Sequence, residues 1–192
     1  NPAADLLAAY VDSRAMQDVY QSVYSFVGSP GTTPSSALTY MQAVTKIFDL
    51  AGPEDELVAV LDKLSEITLV NAYTGTFNPT TARSEDWRRG QFGSNQLGVS
   101  EWYRDQQVVK HTTGTFTSCT PIVDNASQSG STITSTGWAS GATSLKKGDV
   151  IEFAGVYSVN PLTKVSTGRL AQFAITADTT DSSGAVTLPI YP

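Results

Sequence analysis

Few residues in this chain could do chemistry, so each can be weighed in turn. The single histidine, His111, stands in Lys110-His111-Thr112-Thr113, and the single cysteine is Cys119. Nucleophilic catalysis of the Ser-His-Asp or Cys-His kind must run through His111, and no nucleophile motif accompanies it. A partly exposed strand histidine is the simpler reading. A zinc site needs three or four His, Cys or carboxylate ligands, and one His with one Cys cannot supply the usual sets. No D-x-[DN]-x-[DN]-G loop marks a calcium site, and Asp178 to Asp181 reads as a solvated turn. Ser144-Leu145-Lys146-Lys147 has the S-x-x-K spacing of serine acylases. That chemistry needs a helix to bring Ser and Lys onto one face, whereas Gly148 and a strand follow here. Asp62 and Glu66, and the adjacent Glu85-Asp86, could pair as glycosidase carboxylates, but read more simply as solvated helix faces. No glycine-rich phosphate cradle is present, and Asn125-Ala126-Ser127 is a glycosylation triplet without a secretory context. The expectation is no catalytic residue, no cofactor and no metal site, hence no enzyme.

The elements that would position such residues fall into two textures. Leu7, Val11, Ala15, Val19, Val23 and Val27 recur every four residues, with Leu6, Tyr10 and Phe26 widening the stripe. This predicts a first helix stopped by Gly28-Ser29-Pro30. Thr33-Pro34 opens a second helix carrying Leu38, Met41, Val44, Ile47 and Phe48. Pro53 opens a third, with Glu54, Asp55 and Glu56 in its first turn and Leu57, Val60, Leu61 and Leu64 as its apolar face. Ile67–Tyr73 then reads as a strand and Thr76-Phe77 as a short extended piece. Asn78-Pro79 starts a helix toward Trp87, Gly98–Asp105 holds a helical turn or two, and Gln107–Thr113 is a strand.

From Thr115 onward Ser, Thr and Gly dominate and the helical period disappears. Ile151, Phe153 and Tyr157 alternate, as do Ala171, Phe173, Ile175 and Ala177, the period of strands with one buried face. Lys147-Gly148-Asp149, Asn160-Pro161 and Ser182-Ser183-Gly184 are turns. A module of short strands of this kind hides its edges by curling into a barrel or sandwich.

Composition narrows the function classes. Of 192 residues, 40% are hydrophobic and 16% charged, a globular balance. The formal net charge of −6 disfavours nucleic-acid binding, which needs a basic face to displace counterions from phosphates. Residues 1–114 hold 13 acids and 8 bases (−5), and residues 115–192 hold 5 acids and 4 bases (−1), so neither part suits phosphate. One cysteine cannot form an internal disulfide, which fits a reducing compartment. No apolar run is long enough to span a membrane, and no signal-peptide pattern opens the chain. The start at Asn1, directly before a helical pattern, predicts that the natural protein extends upstream.

The stretch Leu145 to Ala177, LKKGDVIEFAGVYSVNPLTKVSTGRLAQFAITA, resembles the inserted β domain of tailed-phage coat proteins of the P22 type. Those proteins share its order of K-G-D, strand, A-G-V, loop and strand. Upstream, the helix, strand, Phe77-Asn78-Pro79, helix succession is similar to the central domain of the common tailed-phage capsid fold (the HK97 fold). Gly98-Val99-Ser100-Glu101-Trp102-Tyr103-Arg104 and the extended Val108-Val109-Lys110 are similar to the lead into the insertion. The resemblance implies an α+β fold. Residues 1–114 would be a partial capsid core, and residues 115–192 an inserted all-β barrel. It implies a structural subunit that joins copies of itself in hexamers and pentamers, usually around a scaffolding protein. The setting would be the host bacterial cytoplasm during assembly and the virion afterwards. A complete coat protein of this type also has an N-terminal arm, an extended loop and a further C-terminal core segment, which predicts that the chain is a fragment. The rival reading is a β-rich binding or decoration module on a virion or cell surface.

One segment stands out for contact with a neighbour. Val159 to Gly168 interrupts two good strand patterns, and is mostly polar and stiffened by Pro161. Leu162, Lys164 and Arg169 are the candidate contact residues, and a plain hairpin loop is the simpler alternative.

Overall fold

The structure is a computed structural model that describes residues 1–72, 88–90 and 93–192. The fold is α+β, with two compact units. One comprises Asn1–Phe26, Val109–Ser158 and Arg169–Pro192; the other comprises Val27–Val108 and Val159–Gly168.

The first unit opens with helix α1 (Pro2–Tyr20). Asn1 caps it, accepting the Ala3 N–H, and Pro2 loses nothing at the first position because its missing N–H would have had no partner. The helix was expected to run to Gly28 but stops at Tyr20. Val19, Val23, Ser22 and Ser25 are weak helix formers. Tertiary contacts hold the segment that follows: Tyr24 packs edge-on against Tyr191, and the Phe26 N–H donates to Oε1 of Gln172 (2.7 Å). The stripe itself is not core, since Leu6, Leu7, Tyr10, Val11 and Val19 are all exposed.

The rest of this unit is β. Strands β3 (Ile122–Val123), β4 (Thr132–Thr136), β5 (Ser144–Leu145), β6 (Val150–Val159), β7 (Ser166–Ile175), β8 (Thr179–Thr180) and β9 (Ala185–Tyr191) follow in turn. Five of them form a curled half-barrel sheet in the order β3-β4-β9-β7-β6, and β5 pairs with β8 separately. Strand β9 is the pivot. Ala185 to Pro189 ladder against β4, then Ile190 and Tyr191 cross to β7. Its alternation buries Val186, Leu188 and Ile190 against Leu145 and Ile175. Ile133, Trp138, Ile151, Phe153 and Phe173 pack around them. The alternation read for Ile151 and Phe153 and for Ala171, Phe173 and Ile175 falls in β6 and β7, whereas Tyr157 is exposed and Ala177 lies beyond β7; the expected turns at Lys147-Gly148-Asp149, Asn160-Pro161 and Ser182-Ser183-Gly184 connect the strands. Residues 107–113, expected as a strand, lie in no strand or helix.

The second unit contains α2 (Ala37–Asp49), β1 (Val58–Leu61), α3 (Lys63–Ala72) and β2 (Glu101–Arg104). Helix α2 starts at the Ser36 cap, three residues later than Thr33-Pro34 suggested, because the Ser36 side chain accepts the Leu38 N–H. The next two assignments are reversed. Val58–Leu61, expected in a helix, is a strand paired in parallel with β2. Ile67–Ala72, expected in a strand, is helix. Asp62 decides this boundary: its carboxylate accepts the Ser65 N–H (3.0 Å) and its carbonyl the Glu66 N–H. Upstream of it, β-branched Val58 and Val60 fit a pleat better than a helix. Strand β2 likewise replaces the helical turns expected over Gly98–Asp105. Leu69, Val99 and Trp102 form the core, with Tyr40, Val44, Ala59, Leu61, Val70 and Leu97 packed around them. The expectations for Thr76-Phe77 and for the helix from Asn78 to Trp87 lie outside the described residues.

Candidate functional site

The most chemical-looking constellation joins His111 to the turn before β6. Nε2 of His111 lies 2.7 Å from Oδ1 of Asp149, and Nδ1 lies 3.4 Å from the Tyr20 hydroxyl. An ionised carboxylate only accepts, so Nε2 is the donor in the pair with Asp149. The Asp149 side chain is 8% exposed and that of His111 22%. Asp149 also accepts the N–H groups of Gly114 (3.0 Å) and Lys146 (2.7 Å) through Oδ2. The carboxylate is thus spent on tying the His111–Gly114 segment to the turn before β6. The hydroxyl on the far side of the imidazole belongs to a tyrosine at the end of α1, not to a serine positioned for attack. The arrangement is a structural clamp.

The other sequence candidates disperse. Ser144 lies in strand β5, bonded through its backbone to Thr115, so Ser144 and Lys147 share no helix face. Cys119 is a half-buried free thiol. Glu66 was expected on a solvated face, but its side chain is 6% exposed and pairs with Nε of Arg104. Asp62 is a helix cap. Glu85-Asp86 lie outside the described residues. No group of three or more metal-ligating side chains occurs among the described residues.

Asp178 and Asp181 are more than a solvated turn. Asp178 accepts Nζ of Lys146 (2.7 Å) and the Lys147 N–H (2.9 Å). The Lys146 hydrogen bond, followed by that backbone N–H, holds its carboxyl below the usual range. Asp181 accepts the N–H groups of Gly141 (2.8 Å), Thr143 (3.2 Å) and Gly184 (3.3 Å). The Gly141 N–H leads in lowering its carboxyl likewise.

The loop between β6 and β7 has a built geometry. Oδ1 of Asn160 accepts the N–H groups of Leu162 (2.9 Å) and Thr163 (3.0 Å), and the Lys164 N–H closes back on the Asn160 carbonyl. Lys164 takes φ +59° to complete the turn. An Asn side chain mimicking a backbone turn explains why Asn160-Pro161 reads as a turn in sequence. Leu162 is 80% exposed, and Val159 and Val165 are exposed beside it. Lys164 and Arg169 are exposed too. What the sequence reading missed is the apolar exposure of the strand leading to this loop, at Val156 and Tyr157. The alternation of Ile151, Phe153 and Tyr157 predicts a buried Tyr157, whereas it is exposed.

The family model of the P22 coat protein, gene protein 5, matches residues 2–192, and the chain belongs to that family. A search of curated proteins finds no match. Family membership makes the chain a structural subunit of a bacteriophage capsid, a component of the virion that oligomerises with itself. The family is structural and non-enzymatic. No helix among the described residues is long and apolar enough to cross a membrane.

Proposed function

We propose that the chain assembles with copies of itself into the hexamers and pentamers of an icosahedral shell. Residues 115–192 serve as the inserted β-barrel domain of the P22 type and residues 1–114 as part of the capsid core. Assembly proceeds in the host bacterial cytoplasm with a scaffolding protein, without specific nucleic-acid binding and without a membrane. The observation carrying this reading is the family match over nearly the whole chain. Exposed apolar side chains in quantity support it: the α1 stripe, Leu38, Met41 and Phe48 of α2, and the β6–β7 loop. Exposed large apolar side chains in such number fit a protein that makes interfaces.

Within that reading, Val159–Gly168 is a contact with a neighbouring subunit, made by Leu162, Lys164 and Arg169. The Asn160 turn fixes the loop before docking, which lowers the ordering entropy. The test is the triple replacement of Leu162, Lys164 and Arg169 by Ala in the complete polypeptide. The expected result is a free subunit with nearly unchanged Tm and a lowered yield of particles. Normal yield of normal particles leaves the loop a mere connection.

A further inference from the structure

Strand β6 ends the five-stranded sheet, so one of its two edges has no strand beside it among the described residues. It is ten residues long, Val150 to Val159. Its first part is anchored, with Ile151 and Phe153 packed on the core and Glu152 accepting from Nε2 of Gln172 (2.7 Å). The second part is not. Ala154, Gly155, Val156 and Tyr157 are exposed in succession, and since successive side chains point to opposite faces, both faces are wet. A two-stranded ribbon without a covered face is marginal in water.

Natural proteins blunt such an edge with lysine, proline, an inward charge or a bulge. Gly155, at φ +83°, bends the strand, but the run from Phe153 to Thr163 contains no charged residue. The chain as a whole carries −6, so most of its surface repels a second copy, whereas this run can approach its own image without opposing charge.

We propose that two copies of the chain pair through their β6 edges, antiparallel about a local two-fold axis, continuing the sheet from one subunit into the next. This rests on the shell reading above and names the geometry of one of its contacts. The occupant is a second copy because the family oligomerises with itself and because the exposed stretch of the edge after Glu152, Ala154 to Val159, carries no charge to oppose its own image. Backbone hydrogen bonds supply the affinity, and Val156 and Tyr157 become cross-strand neighbours. The other end of the sheet, β3, has two residues and is too short to match β6.

Amide hydrogen exchange of the complete polypeptide, free and in purified particles, tests the pairing. The expected result is exchange over 150–158 slowed by about tenfold or more in the particle. Tyr157→Lys, which sets like charges on both sides of the axis, should lower particle yield while leaving the free subunit's Tm unchanged. Particles whose β6 amides exchange as fast as in the free subunit overturn the pairing and leave the shell reading standing. Protection of β3 together with β6 replaces it with a head-to-tail contact. Failure to form particles removes both readings.

Discussion

The imidazole of His111 and the carboxylate of Asp149 meet at 2.7 Å, and the same carboxylate receives two backbone N–H groups from either side of the module. A His-Asp pair can orient a general base, but here nearly all acceptor capacity of Asp149 is used to fasten the Gly114 segment and the Lys146 turn. Gly114 lies so close that a Cβ there would meet the Ser144 carbonyl oxygen at 2.0 Å. The clamp therefore depends on a glycine, a buried acid and an imidazole together.

Asp149→Ala should destabilise the subunit by about 2–4 kcal/mol, because it orphans the Gly114 and Lys146 N–H groups and the imidazole at once. His111→Ala, which leaves Asp149 with its backbone donors, should cost about 1 kcal/mol and leave particle formation intact. Urea unfolding of both variants measures the difference. Equal losses would show that the backbone donors contribute nothing beyond the imidazole.

The Glu66–Arg104 pair gives a second ranking. Arg104→Ala takes the guanidinium away from a buried carboxylate and should lower the Tm of the subunit. Glu66→Gln, which removes the buried charge itself, should cost less. Thermal unfolding of the two variants checks the order, and a larger loss for Glu66→Gln would contradict it.

Acid should loosen the β module through Asp178 and Asp181. Both carboxyls are held below their ordinary value of 3.8, so folding favours their ionised forms. Their contribution is present above that value and is lost as pH falls through the lower folded values. Unfolding followed between pH 2 and 6, a window chosen to bracket about 3.8, should show a flatter acid limb in Asp178→Asn than in the parent chain. An identical limb would remove Asp178 from the account.

How much was legible follows from where local pattern and tertiary contact agreed. The strands β6 and β7 and their turns were readable because alternation, Lys147-Gly148-Asp149 and Asn160-Pro161 all pointed one way. Residues 53–61 depart from the expected helix: Pro53 with three acids is a good helix start by local rules, yet pairing with Glu101–Arg104 draws Val58–Leu61 into a sheet, and Ile67–Ala72 continues a helix where a strand was expected. Nothing local announces a parallel partner some forty residues away. The stripe through Val27 was read too far for the same reason, since Tyr24 and Phe26 are held by Tyr191 and Gln172. Of the candidate sites, the sequence offered His111 as its single histidine, read as a partly exposed strand residue, and could not supply Asp149 as its partner. The exposure of Leu162 was foreseen in the loop, and that of Tyr157 was not.

Domain autonomy offers a further test, on the proposal that 115–192 is a separable insertion. Residues 115–192 should fold alone with a dispersed NMR spectrum, because the β core draws all its members from that span. Extending the fragment to Val109 should add about 1–2 kcal/mol by restoring His111 and the Gly114 N–H to Asp149. A random-coil spectrum from the shorter fragment would count against separability.

Electron microscopy of the complete polypeptide, expressed alone and with a candidate scaffolding protein, tests the shell reading most directly. Closed particles of uniform diameter, built from rings of five and six subunits, are the predicted result. A product that stays monomeric across the concentrations at which coat proteins assemble, or forms only irregular aggregates, would contradict it.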